Sequence, residues 1–334
     1  MVLVEASGGG CVGYGWSYTH TAAAMLVDEL LAPLVVGQPI ADVAAAWSRM
    51  AAALRNLGRS GLGTYALSAV DVALWDLKAR ALALPLVGLL GRCADAVDAY
   101  GSGGFTSYTV GRLGDQLAGW AADGLSAVKM KVGREPEADI ARVAVARDAI
   151  GPDVGLYVDA NGAYDVAQAA GLADAFAEHG VSWFEEPVSS DDLDGLAHLR
   201  RRVPPGMAVA AGEYGDGPAY FRRMLAAGAV DVVQADATRC GGVTGFLRAA
   251  AVADAAGVPL SAHTAPTLHA PLCCAVPGAR DVEWFHDHVR LERLVFEGTL
   301  EPIGGRLVPD MERVGLGVEL KTSDADKYVT WASA

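Results

Sequence analysis

Short apolar runs that end in polar or charged residues recur along most of the chain. Between residues 96 and 290 they read VDAYGS, AVKMKVG, GLYVDAN, SWFEEP, AVAAGE, VDVVQAD, PLSAHT and VEWFH, with helical patterns in most of the gaps. From Lys131, the polar residues that end these runs fall at Asp159, Glu185, Glu213, Asp236, His263 and Glu283, in steps of 28, 26, 28, 23, 27 and 20 residues. Each step holds a strand, a helix and two loops. Eight such units predict an α/β fold of the (β/α)8 TIM-type barrel, whose active site lies at the carboxyl ends of the strands. A doubly wound open sheet is the competing architecture, but no G-x-G-x-x-G follows the first of these runs and no phosphate loop occurs.

The flanking text differs. Residues 1 to 17 alternate and turn through Gly8-Gly9-Gly10, which predicts a β-hairpin. Apolar residues at helical spacing then predict three helices, over 21–36, 41–55 and 64–83. The expected organisation is an α+β capping domain over 1–93, the barrel over 94–290, and a tail over 291–334 that returns to the cap in short β-like pieces and glycine turns.

Composition narrows the class of partner. With 334 residues, 52% of them hydrophobic, and 40 glycines, the chain suits a compact α/β protein with many turns. A net charge of −14 argues against nucleic acid, which needs a basic face. Five cysteines, two of them adjacent, fit a reducing compartment better than a disulfide framework. No signal peptide and no apolar stretch of about 18 residues appears, so the cytoplasm is expected and a membrane is not.

The polar run ends carry the candidate chemistry. Lys78, Lys129, Lys131, Lys321 and Lys327 are the only lysines among 26 basic residues, yet two of them lie two apart on one predicted strand. Period-two alternation puts both on one face. Desolvation and a second cation disfavour an ammonium, so Lys131 reads as a base whose pKa Lys129 lowers. Asp159, Glu185 and Glu213 converge at the mouth, where three like charges repel unless protonated or bridged by a cation. An all-oxygen ligand set favours Mg²⁺. Asp236 and His263 end neighbouring strands and form a candidate dyad, the carboxylate orienting the imidazole. Bases on both sides of a metal pocket suit proton transfer at a carbon next to a carboxylate, with the metal stabilising the enolate.

The series KMK, VDAN, FEEP, AGE, QADATRCGGVTG, SAH and EW resembles the enolase superfamily, and within it the mandelate racemase subgroup. The resemblance implies that Asp159, Glu185 and Glu213 bind Mg²⁺, and that Lys131 and the His263–Asp236 dyad are the acid/base groups. It further implies that Glu283 hydrogen-bonds the enolate oxygen and that Lys129 contacts the substrate carboxylate. Ser102 resembles a substrate contact, and Asn161 lies where the family keeps a polar residue near the metal. Trp16, Tyr18 and His20 match part of a cap loop facing the substrate. Muconate-lactonising and dipeptide-epimerase relatives are expected to carry a second lysine at the end of the sixth strand and often Asp as third metal ligand, whereas here the third is Glu213, His263 is present, and Arg239 is the cation three residues after Asp236. It cannot serve as a routine proton carrier, so the mandelate racemase side is favoured. The family pattern opens with a further strand and loop that this sequence does not show, which leaves an upstream start, another subunit or an open pocket as alternatives.

Acid-sugar dehydratases form the larger resembling group, so the expected reaction is dehydration of a sugar acid to a 2-keto-3-deoxy acid. Racemisation or epimerisation of a 2-hydroxy acid, and lactone cycloisomerisation, are the alternatives. A barrel that binds without catalysis, and an aldolase with a Schiff-base lysine, are the readings from other classes. The family also implies a homo-oligomer.

Overall fold

The eight apolar runs each form a strand in the computed structural model, which describes residues 1–333. They are β3 (Val97–Gly103), β4 (Ala127–Lys131), β5 (Gly155–Asp159), β6 (Val181–Glu185), β7 (Ala208–Ala211), β8 (Val232–Ala235), β9 (Leu260–Ala262) and β10 (Ala279–Phe285). Each pairs in parallel with its successor, and β10 returns to pair with β3 from Asp281↔Asp98 to Phe285↔Ser102, closing the barrel. Helices fill every β–α gap, from Val110–Ala122 after β3 to His286–Val295 after β10.

Register decides what the interior holds. Lys131, Asp159 and Glu185 are paired neighbours across β4, β5 and β6, and two residues earlier Lys129, Tyr157 and Trp183 are paired in the same way. Since alternate residues share a face, one inward layer is charged and the layer beneath it largely aromatic. Tyr157 stacks on Trp183 at 5.1 Å and meets Tyr100 edge-on at 5.3 Å, which plugs the barrel below the polar mouth.

The cap begins with the hairpin of β1 (Val2–Gly8) and β2 (Cys11–Ser17). The expected helix over 21–36 is interrupted by a π-helical turn, Val27–Leu31, just before Pro33. Proline has no N–H to give and its ring displaces the preceding carbonyls, so the ladder shifts there. The long helix Leu62–Ala81 lies so close under β2 that a Cβ at Gly15 would sit 2.2 Å from the Ala69 carbonyl oxygen.

The cap grips the loop after β8. Ser17 Oγ donates to Thr238 O at 2.7 Å, and Trp47 Nε1 donates to Gly241 O at 2.8 Å. Asp71 accepts from Thr244 N at 2.9 Å and from Thr244 Oγ1 at 2.7 Å. The tail attaches to both barrel and cap. Arg306–Leu307 adds antiparallel to β3, and Leu316 N donates to Asp76 Oδ1 at 2.6 Å, while Asp76 Oδ2 accepts from Tyr14 N at 2.8 Å. Among the described residues, no helix is long and apolar enough to cross a membrane.

Close packing sets two glycines apart. Gly15→Ala is expected to lower stability by roughly 1–3 kcal/mol through overpacking. Gly119→Ala, at a helix position where a Cβ meets nothing within 4 Å, is expected to gain ~0.5–1 kcal/mol; urea denaturation of both variants checks the contrast. Burial pushes the Asp71 carboxyl up to about 7 against the hydrogen bonds from Thr244. The folded state then binds more protons than the unfolded chain between the ordinary value of 3.8 and about 7, so this group's contribution to stability declines as pH rises through that window. Asp71→Asn cannot ionise and is expected to lessen that decline, read from denaturation midpoints at a series of pH values.

Candidate active site

Each strand end delivers one polar side chain to the mouth, and their burial is nearly complete: Asp159 and Glu185 have no exposed surface and Glu213 has 3%. One oxygen from each lies within 4.8 Å of the others. Local backbone sets these positions. Asp159 Oδ1 accepts from Asn161 N at 2.8 Å in an Asx turn. Gly212, before Glu213, lies so close to the neighbouring strand that a Cβ would meet the Gln234 carbonyl oxygen at 2.3 Å. Glu185 Oε2 accepts from Trp183 Nε1 at 3.0 Å and from Gln234 Nε2 at 2.9 Å.

The acids fit a hard divalent cation. All three offer carboxylate oxygen, and Glu213 Oε2 is buried with no hydrogen-bond partner, an orphan of the kind that signals a missing ion or water.

The two lysines lie on one face of β4, as alternation predicts. Lys129 is fully buried, 2.7 Å from Glu185 Oε1 and 2.9 Å from Glu283 Oε1. Lys131 pairs with Asp159 Oδ2. Lys129 works to lower the Lys131 pKa, as expected. Burial, the largest influence, also disfavours the ammonium, but Asp159 in register on the next strand, together with Glu213 and Glu185, outweighs both, and the net direction is upward. Lys129 is held well above its ordinary value, Glu185 and Glu283 overcoming its burial.

The far side holds the second group. His263 Nδ1 lies 2.8 Å from Asp236 Oδ2, and its Nε2 lies 3.3 Å from Glu213 Oε2. Burial works to raise the Asp236 pKa, but His263 and Arg239 hold it below the usual range. Arg239 also reaches Glu213 Oε1 at 3.2 Å and lies 6.0 Å from the ring centre of Tyr65 and 5.2 Å from that of Tyr214. Glu283 accepts from Ser102 Oγ at 2.6 Å and Thr264 N at 3.2 Å. Burial works to raise its pKa, but Lys129 and His263 lower it.

The cap residues divide. Trp16 is fully buried, 4.8 Å from the Phe296 ring, so it packs between hairpin and tail instead of facing substrate as expected. Tyr18 donates to Glu292 Oε1 at 3.1 Å and stacks on His288 at 3.4 Å. His20 is exposed, and its Nδ1 accepts from Ala22 N at 3.1 Å. Asn161 is also exposed and meets Asp159 through its backbone.

Sequence reasoning missed several site neighbours. Glu186, the second acid of FEEP, is 1% exposed at φ 36°, and burial with Glu213 nearby pushes it up to about 9. Thr264 and Ala265 follow His263 in the left-handed region, at φ 55° and 38°, a conformation costing ~1–3 kcal/mol per residue. His269 packs behind them. The second histidine in SAHTAPTLH was the available signal.

Comparison with known proteins agrees with this layout. The profile described as the mandelate racemase / muconate lactonizing enzyme N-terminal domain matches residues 1–91, and that described as enolase C-terminal domain-like matches residues 112–325. The chain belongs to the enolase superfamily, in its mandelate racemase/muconate lactonizing enzyme family. Within that family it is 34% identical to the D-galactarolactone cycloisomerase of Agrobacterium fabrum, over 96% of this chain and 88% of the relative. It is 31% identical to the L-talarate/galactarate dehydratase of Salmonella typhimurium, over 93% and 78%. Among solved structures, a mandelate racemase/muconate lactonizing enzyme-like protein from Rubrobacter xylanophilus is 54% identical, with TM-score 0.95 over 98% of this chain and 90% of that one. A racemase from Streptomyces coelicolor A3(2), solved with bound magnesium, is 30% identical, with TM-score 0.91 over 97% and 90%.

Mg²⁺ is expected to raise the unfolding temperature of chelator-treated protein, with a stabilisation of about 2.7 kcal/mol at a hundredfold excess over Kd. Glu213→Gln is expected to reduce that shift; an undiminished shift in the variant would place the cation elsewhere.

Proposed function

We propose that the chain is an Mg²⁺-dependent enzyme that removes the proton α to a carboxylate of a sugar acid and dehydrates it to a 2-keto-3-deoxy acid. The observation that carries this reading is the flanking of one acidic triad by two proton-transfer groups. Lys131 meets its Asp159 end and His263 its Glu213 end. Mg²⁺, when held by Asp159, Glu185 and Glu213, supplies positive charge that offsets theirs and favours negative charge developing on the substrate carboxylate.

Lys131, as a neutral amine, would take the proton from C2. The electron pair left at C2 expels the C3 hydroxyl, which His263, protonated and oriented by Asp236, converts to water. The resulting enol tautomerises to the 2-keto-3-deoxy acid. In this reading Lys129 and Ser102 take the substrate carboxylate, and Glu283, which contacts both, orients them. Arg239, 3.2 Å from Glu213 Oε1 and 3.4 Å from Asp236 Oδ2, is assigned a substrate contact beside the dyad. The likeness to the Agrobacterium fabrum protein supports a second reading, cycloisomerisation of a sugar-acid lactone, which needs the same proton abstraction. In racemisation, His263 would instead return a proton to the opposite face. The five free cysteines suit a reducing compartment, which favours the cytoplasm.

The test is ¹H NMR of a panel of mono- and diacid sugars in D₂O with Mg²⁺. Deuterium at C2 or a keto-deoxy product is expected; Lys131→Ala is expected to reduce both, and His263→Ala the product, by about 10²–10⁴-fold. Tight Mg²⁺ binding with neither signal for any acid would replace this reading with a non-catalytic binding barrel.

A further inference from the structure

The turn after His263 places Thr264 and Ala265, two consecutive non-glycine residues, at positive φ. Such a turn persists only where its surroundings over-determine it, and three buried side chains do so. Glu283 Oε2 accepts from Thr264 N at 3.2 Å, His288 Nδ1 accepts from Ala265 N at 3.4 Å, and His269 Nδ1 donates to Thr264 O at 2.7 Å. His269 has a second bond of a different kind. Its Nε2 accepts from Ala237 N at 2.8 Å. Ala237 follows Asp236 and Thr264 follows His263, so one imidazole spans the ends of β8 and β9 at the residues next to the dyad.

The two bonds fix the chemistry of this ring. Nε2 faces an N–H and must carry a lone pair; Nδ1 faces a carbonyl and must carry the proton. Only the neutral Nδ1–H tautomer satisfies both. The ring is fully buried, 5.4 Å from that of Phe246, with Asp236 Oδ1 3.8 Å from Nε2. Burial keeps its pKa below the ordinary histidine value against the pull of Asp236. Asp236 itself is restrained, with Oδ1 accepting from Thr238 N at 2.7 Å and Oδ2 lying 3.4 Å from Arg239 Nε. The dyad's geometry therefore depends on where the end of β9 lies relative to that of β8.

We infer that His269 is a positioning residue: by bonding Ala237 N and Thr264 O through its two ring nitrogens, it holds His263 in register with Asp236 and aims His263 Nε2 into the site. Lys131, on β4 against Asp159, is positioned without it. The kinetic part of the test rests on the proposed function; the spectroscopic part does not.

The test uses Mg²⁺-loaded protein carrying ¹⁵N-labelled histidine. His269→Phe keeps a ring and removes both bonds, whereas His269→Asn keeps a donor toward Thr264 O. The Nδ1–H resonance of His263, assigned by its loss in His263→Asn, is expected to shift or broaden in His269→Phe and to change less in His269→Asn. With a substrate found in the sugar-acid panel, water elimination, the His263-dependent step, is expected to fall ten- to a hundredfold. C2 exchange, the Lys131-dependent step, is expected to stay within about twofold. An unchanged His263 resonance in the folded Asn and Phe variants would overturn the inference, as would equal loss of both steps with a lowered Tm. If wild type shows neither exchange nor elimination, the proposed function fails while the resonance still decides the role of His269. Should the Phe variant not fold, the Asn variant, which loses the ring's span between Ala237 N and Thr264 O, is still expected to shift the His263 resonance, and no shift in it would overturn the inference.

Discussion

Buried negative charge in excess of buried positive charge is the constraint on which the mouth of this barrel depends. Asp159, Glu185, Glu213, Asp236 and Glu283 are all at most 3% exposed, and they share Lys129, Lys131 and Arg239. Removing an ion from water costs several kcal/mol even after relaxation, so each carboxylate has to be matched by a cation or by donors. Lys129 does this most completely, touching acids on β6 and β10 from β4. Glu213 is the least matched, with one oxygen free of any hydrogen bond. The deficit sits where the three strand-end acids converge, so the metal requirement and the electrostatics of the fold are one problem.

Barrel closure makes that arrangement possible. Lys129 and Glu283 lie 154 positions apart in the chain and meet because β10 pairs with β3, with Ser102 across from Phe285. The cap acts on the same ring from outside. Its hydrogen bonds fall on Thr238, Gly241 and Thr244, in and beyond the loop that leaves Asp236 and Arg239. Cap docking and placement of the dyad's carboxylate are thereby linked through a few residues of main chain.

The strands and most of the strand-end residues were legible because an apolar run that stops abruptly at a charge fits a buried strand ending at a polar mouth and little else. The lysine pair was legible because a period of two leaves no choice of face. For Lys131 the influence of the neighbour on its own strand was legible, and Lys129 does work to lower its pKa; the opposing influence of Asp159 was not, because only register brings it opposite on the next strand. Trp16 was misplaced because a motif match carries position along the chain but not the direction of a side chain. Glu186 and His269 stayed hidden because each looks like spacing or packing in one dimension, and their significance is in what they face.

The two proton-transfer groups are held by different physics. Lys131 stands on a regular strand, where its direction follows from the pleat and its partner from the register, and nothing local is strained. His263 stands one residue beyond β9, at the start of a left-handed turn. Its direction comes from side chains on β8, β10 and two helices: Asp236 after β8, Glu283 on β10, His269 on Pro266–Cys273 and His288 on His286–Val295. A strand-borne group tolerates change around it because its backbone fixes it. A turn-borne group keeps its aim only while several distant residues agree, so the geometry of the His263 half is more sensitive to substitutions outside the site than that of the Lys131 half.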